Sequence, residues 1–336
     1  MKKFMLQEEC KGAKSIVISG HIRPDGDCTG SCMAVYMYLK KVMPEADVRV
    51  CLEQPADCFS CIQDFDQIDS TFMVEEAPDI FIAVDCEKSR LGEAEKIFES
   101  ASKRINIDHH ISNEHGCGDV NYVVPGCSST AELVYDVLDK EWIDKEIAKA
   151  IYIGIIHDTG IFHYSSTTPK TLRIAADLIE YGFNFSEIID QTIYEKTYIQ
   201  NQLLGRALLE SIIFMHGRCI VSTIDQKILN FYDATPKDLE GIVNQLRIIK
   251  GVECAIFMYA IGNLEYKVSL RSCKYVDVSK IAAYFGGGGH VRAAGCNING
   301  TFHDVVNNIS KQIELQMKQF EEADTQSTEN TVVESD

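Results

Sequence analysis

Short runs of β-branched and aromatic residues punctuate the N-terminal half of the chain, and three of them stop at side chains able to bind a cation. Ser15–Ser19 leads through Gly20 to His21, Asp25 and Asp27; Ile80–Val84 stops at Asp85; the run 104–107 stops at Asp108-His109-His110. Runs of this length and composition read as buried strands, with a further strand at 48–52. Between them the apolar spacing turns helical: a short N-terminal helix, then 30–43 with Cys32, Val35, Tyr36 and Leu39 on one face, 91–101, 131–138, and 144–156 ending at His157-Asp158-Thr159-Gly160. The stretches 65–72 and 111–124 read as irregular chain and a loop. Strands alternating with helices predict an α/β fold with a doubly wound parallel sheet. Ligands of such sheets gather at the carboxyl ends of the strands, so three ligand-bearing strand ends predict one shared site.

After helices at 169–181 and 197–211 the pattern changes. Long strands at 214–224 and 254–271, a helix near 236–249, a helix near 279–284 running into Gly286-Gly287-Gly288-Gly289-His290, and an amphipathic helix at 303–320 describe a smaller mixed α+β unit. The expected division is a catalytic domain at 1–185, a helical connector at 186–212, a second domain at 213–320 and a disordered acidic tail at 321–336. No internal repeat is visible.

A chain of 336 residues is long enough for two cores. Its formal charge of −18 includes six acids beyond residue 320, and the remainder still carries about −12. An acidic body excludes tight binding of long duplex nucleic acid, because that affinity comes from many Lys/Arg–phosphate contacts. A phosphate-bearing ligand is therefore expected to be short, with cations supplied locally. Thirteen cysteines without repeated spacing suggest reduced thiols in a cytoplasm, and Cys58-Phe59-Ser60-Cys61 reads as incidental. Neither a leader sequence nor a membrane span is expected.

The candidate ligands are His21, Asp25, Asp27, Asp85, Asp108, His109, His110 and Asp158. So many carboxylates meeting at one set of strand ends repel one another unless cations lie between them, which predicts metal and more than one ion. Oxygen-rich sites with a few imidazoles suit Mn²⁺ first and Mg²⁺ second, ahead of Zn²⁺, and no cysteine stands in a ligand-like spacing. Two ions bridged by a carboxylate about 3.5–4 Å apart serve phosphoryl displacement, the reaction inferred. Taken singly, each motif has a plainer reading: Asp-x-Asp as a solvated turn, His109-His110 as a surface pair, Asp85 as a helix cap. Their common place at the ends of one sheet favours the metal.

His21-Ile-Arg-Pro-Asp25-Gly-Asp27, Asp85, Asp108-His109-His110 and His157-Asp158-Thr159-Gly160 together resemble the four motifs of the DHH phosphoesterase superfamily. Gly286 to His290 followed by Val-Arg292-Ala-Ala-Gly295 resembles the signature of the DHH-associated C-terminal domain. Within the superfamily the short linker and two-domain length resemble the bacterial nanoRNase group, oligoribonucleases that also dephosphorylate 3′-phosphoadenosine 5′-phosphate (pAp). The resemblance implies His21, Asp25 and Asp85 on one ion and Asp27, Asp85, His109 and Asp158 on the other. It also implies His110 at the scissile phosphate, with Asp108 orienting a histidine. His157 departs from the small or hydroxyl residue expected beside Asp158.

On the substrate side, Gly287, Gly288 and Gly289 allow close backbone approach and an anion nest, His290 adds a donor, and Arg271-Ser272 at the end of a strand over 266–270 can hold phosphate. Ser128 and Ser129 precede a helix, with Glu132 completing a capping box; the same helix end could face an anion. The first domain is thus expected to carry the metals and the second to clamp a short oligonucleotide or nucleoside bisphosphate, in a monomer or homodimer. Alternatives are a linear or cyclic dinucleotide phosphodiesterase and, from another class, a nucleotide-binding module without catalysis. A processive exonuclease lacks its basic track.

Overall fold

The computed structural model describes residues 4–333, with side-chain environments as far as residue 322. The chain divides into two compact units between Glu195 and Lys196.

The first unit contains α1 (Leu6–Glu9), β1 (Ser15–Ser19), α2 (Gly26–Val42), β2 (Asp47–Cys51), β3 (Ile68–Asp69), β4 (Ile80–Val84), α3 (Glu95–Ser100), β5 (Lys103–Asp108), β6 (Val120–Val123), α4 (Thr130–Val137), α5 (Lys145–Asp158), α6 (Pro169–Ile179) and α7 (Phe185–Ile189). Its strands pair in the order β3-β2-β1-β4-β5-β6, all parallel among the described residues. The chain builds outward from β1 to β3, then returns to β4 on the other side of β1. The reversal opens a crevice at the carboxyl ends of β1 and β4, the switch point at which open α/β sheets bind ligands.

Alternation along the strands explains both layers. Ile16, Ile18, Ile82, Val84, Ile105 and Ile107 face the core shared with Met33 of α2, Leu133 of α4 and Ile151 of α5. Val17, Phe81 and Ala83 point the other way, onto Leu91, Ile97 and Phe98 around α3. Helices therefore cover both faces, as doubly wound folding requires.

Several boundaries differ from expectation. Helix α2 starts at Gly26 rather than near residue 30, because Asp25 caps it by accepting from the N–H groups of Asp27 and Cys28, each at 3.1 Å. Asp27 thus sits in a first helical turn, not in a strand-end loop. Gly30 belongs inside the helix because a Cβ there would lie 2.5 Å from the Ala150 carbonyl of α5. The expected helix at 91–101 is a 3₁₀ turn, Gly92–Ala94, followed by α3. The expected loop at 111–124 contains β6, too short for its alternation to register in the sequence.

The second unit contains α8 (Tyr198–Leu209), β7 (Ile212–Phe214), β8 (Cys219–Ile224), α9 (Gln226–Tyr232), α10 (Ile242–Arg247), β9 (Cys254–Gly262), β10 (Glu265–Ser272), α11 (Val278–Tyr284), β11 (Gly288–His290), β12 (Ala293–Asn299) and α12 (Phe302–Val333). Its sheet runs β11-β12-β10-β9-β8-β7, mixed because β8 and β9 pair in parallel. The expected strand at 214–224 holds the end of β7, a turn and β8, and the one at 254–271 is the β9–β10 hairpin. Positive φ at Met215, His216 and Gly217 turns the first, and Leu264 at φ 56° turns the second. The expected helix at 236–249 breaks at Gly241, φ 85°, into a 3₁₀ turn and α10. Helix α12 continues to Val333 past residue 320, where a disordered tail was expected: no Gly or Pro stops it, and extending a formed helix needs no new nucleus. Residues 334–336 of that expected tail lie outside the described residues.

Candidate metal centre

The centre is assembled from four segments that follow β1, β4 and β5 or end α5. Asp85, two per cent exposed, lies at its middle. Its Oδ2 is 3.5 Å from His21 Nε2 and its Oδ1 is 3.6 Å from His109 Nε2. The residue has φ 61°, a left-handed conformation uncommon outside glycine, and its N–H donates to the Ile107 carbonyl at 2.9 Å. That strained turn at the end of β4 keeps Asp85 beside β5.

Each imidazole is oriented through its second nitrogen. His21 Nδ1 lies 2.8 Å from the Ile22 carbonyl and His109 Nδ1 lies 2.9 Å from the Cys127 carbonyl, so both Nε2 atoms point inward. His109 Nε2 also approaches Asp158 at 3.4 Å and Asp27 at 4.0 Å. Asp25 Oδ1 lies 3.7 Å from His21 Nε2. Asp108, fully buried, accepts from the backbone N–H groups of His109 and His110, from His110 Nδ1 at 2.7 Å and from Asn113 Nδ2 at 2.7 Å. Its role in the structure is to hold the two histidines, and its carboxylate offers the centre no open face.

Asp27 is held at the opposite side. Its Oδ2 accepts from Thr130 N–H at 2.7 Å and its Oδ1 from Ala131 N–H at 2.9 Å, so the N-terminus of α4 is occupied by a carboxylate of the protein itself. Thr130 Oγ1 donates to Asp85 Oδ1 at 2.8 Å.

Electrostatics match a centre built for cations. Burial, then the charges of Asp85, Asp158 and Asp25, push Asp27 well above the usual carboxylate range. Burial also raises Asp158 to about 6, with His109 opposing and Asp85 and Asp25 adding. Burial disfavours a charged His21, but Asp25 and Asp85 outweigh it and lift the imidazole to about 11. A divalent ion relieves this repulsion. Three sets of ligand atoms lie within 4.8 Å of one another: Asp27, His109 and Asp158; Asp85, His109 and His110; and His21, Cys28 and Asp85. The donor set therefore fits divalent cations, with Asp85 in two of the three sets.

Cys28 corrects the expectation that no cysteine stands in a ligand-like spacing. It follows Asp27 in the first turn of α2, and only the helix start at Gly26 brings its sulfur toward His21 and Asp85. Arg90 was also overlooked: its Nη1 lies 3.3 Å from His110 Nε2. The signal for it was faint, a single basic residue five positions after Asp85. His157 joins none of the three sets. Its ring packs over Gly26, where a Cβ would lie 2.2 Å away, with its edge on Phe59, and burial depresses it to about 4.

The expected substrate residues have partners of their own within each unit. Ser128 and Ser129 are buried and committed to Glu132: Ser128 Oγ donates to its carboxylate at 2.5 Å, and Ser129 Oγ accepts from its N–H at 3.1 Å. The capping box is one-sided, because Glu132 Oε2 also takes the Thr171 hydroxyl at 2.7 Å. Ser128 thus spends its proton inside the protein, while Ser129 Oγ serves as an acceptor. In the second unit, Arg271 Nε donates to Asn244 at 3.0 Å, and Ser272 is buried beside the Arg292 guanidinium, 3.4 Å away. Gly287 and Gly289 serve the β11–β12 hairpin: a Cβ at Gly287 would meet the Gly295 carbonyl at 2.2 Å, and one at Gly289 would meet the Ala293 carbonyl at 2.5 Å. Gly288 has nothing within 4 Å of that position, and His290 is exposed.

Comparison with known proteins agrees with this geometry. Residues 15–155 match the DHH family, N-terminal domain, and residues 216–319 match the DHHA1 domain. The chain is 31% identical over 293 residues to the bifunctional oligoribonuclease and PAP phosphatase NrnA of Thermus thermophilus, covering 85% of this chain and 84% of that one. It is 27% identical to the protein of the same name from Bacillus subtilis, covering 84% and 89%. An exopolyphosphatase-related protein from Bacteroides fragilis superposes with a TM-score of 0.81 at 26% identity, covering 92% of this chain and 94% of the other.

Proposed function

This chain belongs to the DHH family, and from that premise we propose that it is a metal-dependent phosphoesterase that hydrolyses short oligoribonucleotides to mononucleotides and pAp to AMP. The observation that carries the reading is Asp85 set between His21 and His109, with two further carboxylates, Asp27 and Asp158, raised by burial and by the neighbouring acids. The names of the relatives from Thermus thermophilus and Bacillus subtilis support the substrate class.

His21, Asp25 and Asp85 are assigned to one ion, and Asp27, Asp85, His109 and Asp158 to the other, with Mn²⁺ preferred over Mg²⁺ for a site mixing carboxylates and imidazoles. When bound, such a pair of ions stabilises phosphoryl charge and makes water a better nucleophile near neutral pH. The protein's own part is to fix the ligands: carbonyls of Ile22 and Cys127 set the imidazole faces, Asp108 holds His110 for contact with the substrate, and α4 pins Asp27. Arg271, Gly288 and His290 are the anion contacts we assign to the DHHA1 domain. The acidic surface supports short substrates over long duplexes. Thirteen free cysteines support a reducing, cytoplasmic setting.

The test is a substrate panel with Mn²⁺: pAp, a dinucleotide, a long RNA, linear and cyclic di-adenylate, and pyrophosphate, each with wild type and Asp85→Ala. Turnover of pAp and the dinucleotide by wild type only is expected. Equal rates on dinucleotide and long RNA would refute the preference for short substrates, and full activity of Asp85→Ala would refute the metal assignment. A faster rate on cyclic or linear di-adenylate would assign the chain to the dinucleotide phosphodiesterases.

A further inference from the structure

Arg90 closes a 3₁₀ turn, Lys88–Arg90, and is half-buried beside the metal centre. Its own carbonyl accepts from Ile22 N–H at 2.8 Å, which ties the turn to the segment that presents His21. Two residues on, Gly92 has φ 58° and a Cβ there would lie 2.4 Å from Ile22 Cγ2, so this approach depends on glycine.

The guanidinium meets His110 Nε2 at 3.3 Å. Arginine has five donors and no acceptor, so in this contact it is the donor, while His110 Nδ1 lies 2.7 Å from Asp108 Oδ1 on the other side of the ring. The guanidinium thus brings a donor to the Nε2 edge of His110.

Charge points the same way. Among the described residues, no Lys or Arg forms an ion pair with Asp25, Asp27, Asp85, Asp108 or Asp158, whose ion-pair partners are all histidines. Arg90 stands next to this acidic group, yet among the described residues no carboxylate pairs with it, and the hydrogen bond its side chain makes there is to His110. A planar fork of donors kept clear of the protein's own anions suits an anion from outside.

We propose that Arg90 grips the phosphoryl oxygens of the substrate, and that its contact with His110 holds the guanidinium in place before the substrate arrives. This rests on the phosphoesterase reading. A monoester phosphate carries more charge than a diester, so Arg90 favours the terminal phosphate of pAp over an internal linkage.

The experiment compares wild type, Arg90→Ala, Arg90→Lys and Arg90→Gln, each loaded with Mn²⁺ and checked for equal metal content. Calorimetry reads orthophosphate affinity, and steady-state kinetics read pAp and a dinucleotide. Arg90→Ala is expected to lose roughly 10- to 100-fold in orthophosphate affinity, as for a lost charge-assisted hydrogen bond, and more in kcat/KM for pAp than for the dinucleotide. Arg90→Lys should recover part of the loss, and added guanidinium ion should rescue Arg90→Ala but not Asp85→Ala. If Arg90→Ala loads metal poorly, Arg90→Gln, which keeps the stem, carries the comparison. Unchanged orthophosphate affinity in a metal-loaded variant overturns the assignment. Arg90-dependent orthophosphate binding without turnover of any ester by wild type overturns the phosphoesterase reading and leaves Arg90 as an anion site.

Discussion

The backbone N–H of Thr130 donates to the Asp27 carboxylate at 2.7 Å, joining the first turn of α2 to the first turn of α4 across 103 residues of sequence. The same residue's hydroxyl donates to Asp85 at 2.8 Å. One threonine at a helix N-terminus therefore fixes two of the carboxylates of the candidate metal centre. The partial positive charge of that helix end offsets some of their repulsion.

Thr130→Val keeps the shape and the N–H but removes the hydroxyl. The variant should fold, lose about 10- to 100-fold in metal affinity or activity, and keep its substrate order, as expected when a ligand loses the partner that orients it. Mn²⁺ calorimetry alongside pAp kinetics checks this; a variant equal to wild type in both would show that Asp85 needs no such support.

Metal affinity should rise with pH through about 6, where Asp158 titrates in the folded protein. For that one proton the dependence is about tenfold per pH unit below the midpoint, because the ion must displace it. Between the ordinary aspartate value and about 6 the folded state binds more protons than the unfolded state, so Asp158 stabilises the metal-free protein less as pH rises through this window. His157, depressed to about 4, acts in the opposite sense, contributing stability above its ordinary value that is lost as acid charges it. The comparison must therefore be Asp158→Asn against wild type. Melts in chelator should show the variant more stable at pH 7.5, with the difference disappearing toward pH 4.

Glu132 gathers the hydroxyls of Ser128 and Thr171 and lies 3.1 Å from Lys170 Nζ, stitching α4 to α6 in a buried setting. Glu132→Ala should cost about 1–3 kcal/mol, the penalty for leaving the buried Ser128 and Thr171 hydroxyls without their acceptor, because Lys170 keeps Asp136. Ser128→Ala should cost only about 1 kcal/mol and leave the KM for pAp unchanged. Denaturant melts measure the first two, and a raised KM would return Ser128 to the substrate.

Gly287 and Gly288 are neighbours with opposite surroundings. Gly287→Ala drives a Cβ to within 2.2 Å of the Gly295 carbonyl and should destabilise the DHHA1 domain by about 1–3 kcal/mol, as overpacking does. Gly288→Ala has open space and should leave the melting temperature unchanged, so a fall in its nucleotide affinity would report a ligand contact directly.

The ligand-bearing strand ends were legible because burial on both faces makes a parallel strand a short, largely apolar run, broken in β5 by the buried Asn106, and a carboxylate or imidazole at its end stands out against that run. Element positions in the second unit were less legible: the turns at Met215-His216-Gly217 and Leu264 carry positive φ at non-glycine residues, and the turn signals of Gly217 and Gly262-Asn263 sit inside continuous apolar stretches that read as long strands. The capping box at Ser129 was visible as a spacing, but the second acceptor duty of Glu132 depends on Thr171 of another helix.

What the sequence by itself determined is the chemistry available: which side chains stand at the ends of β1, β4 and β5, in an order that matches one family. What only the tertiary structure decided is how each is used. Asp27 occupies the helix end that looked open to a phosphate, Cys28 turns toward His21 and Asp85, and Arg90 reaches His110. Each of these depends on where a helix begins or which strand lies beside which, and such distances are fixed by packing between segments far apart in the chain, where no local pattern records them.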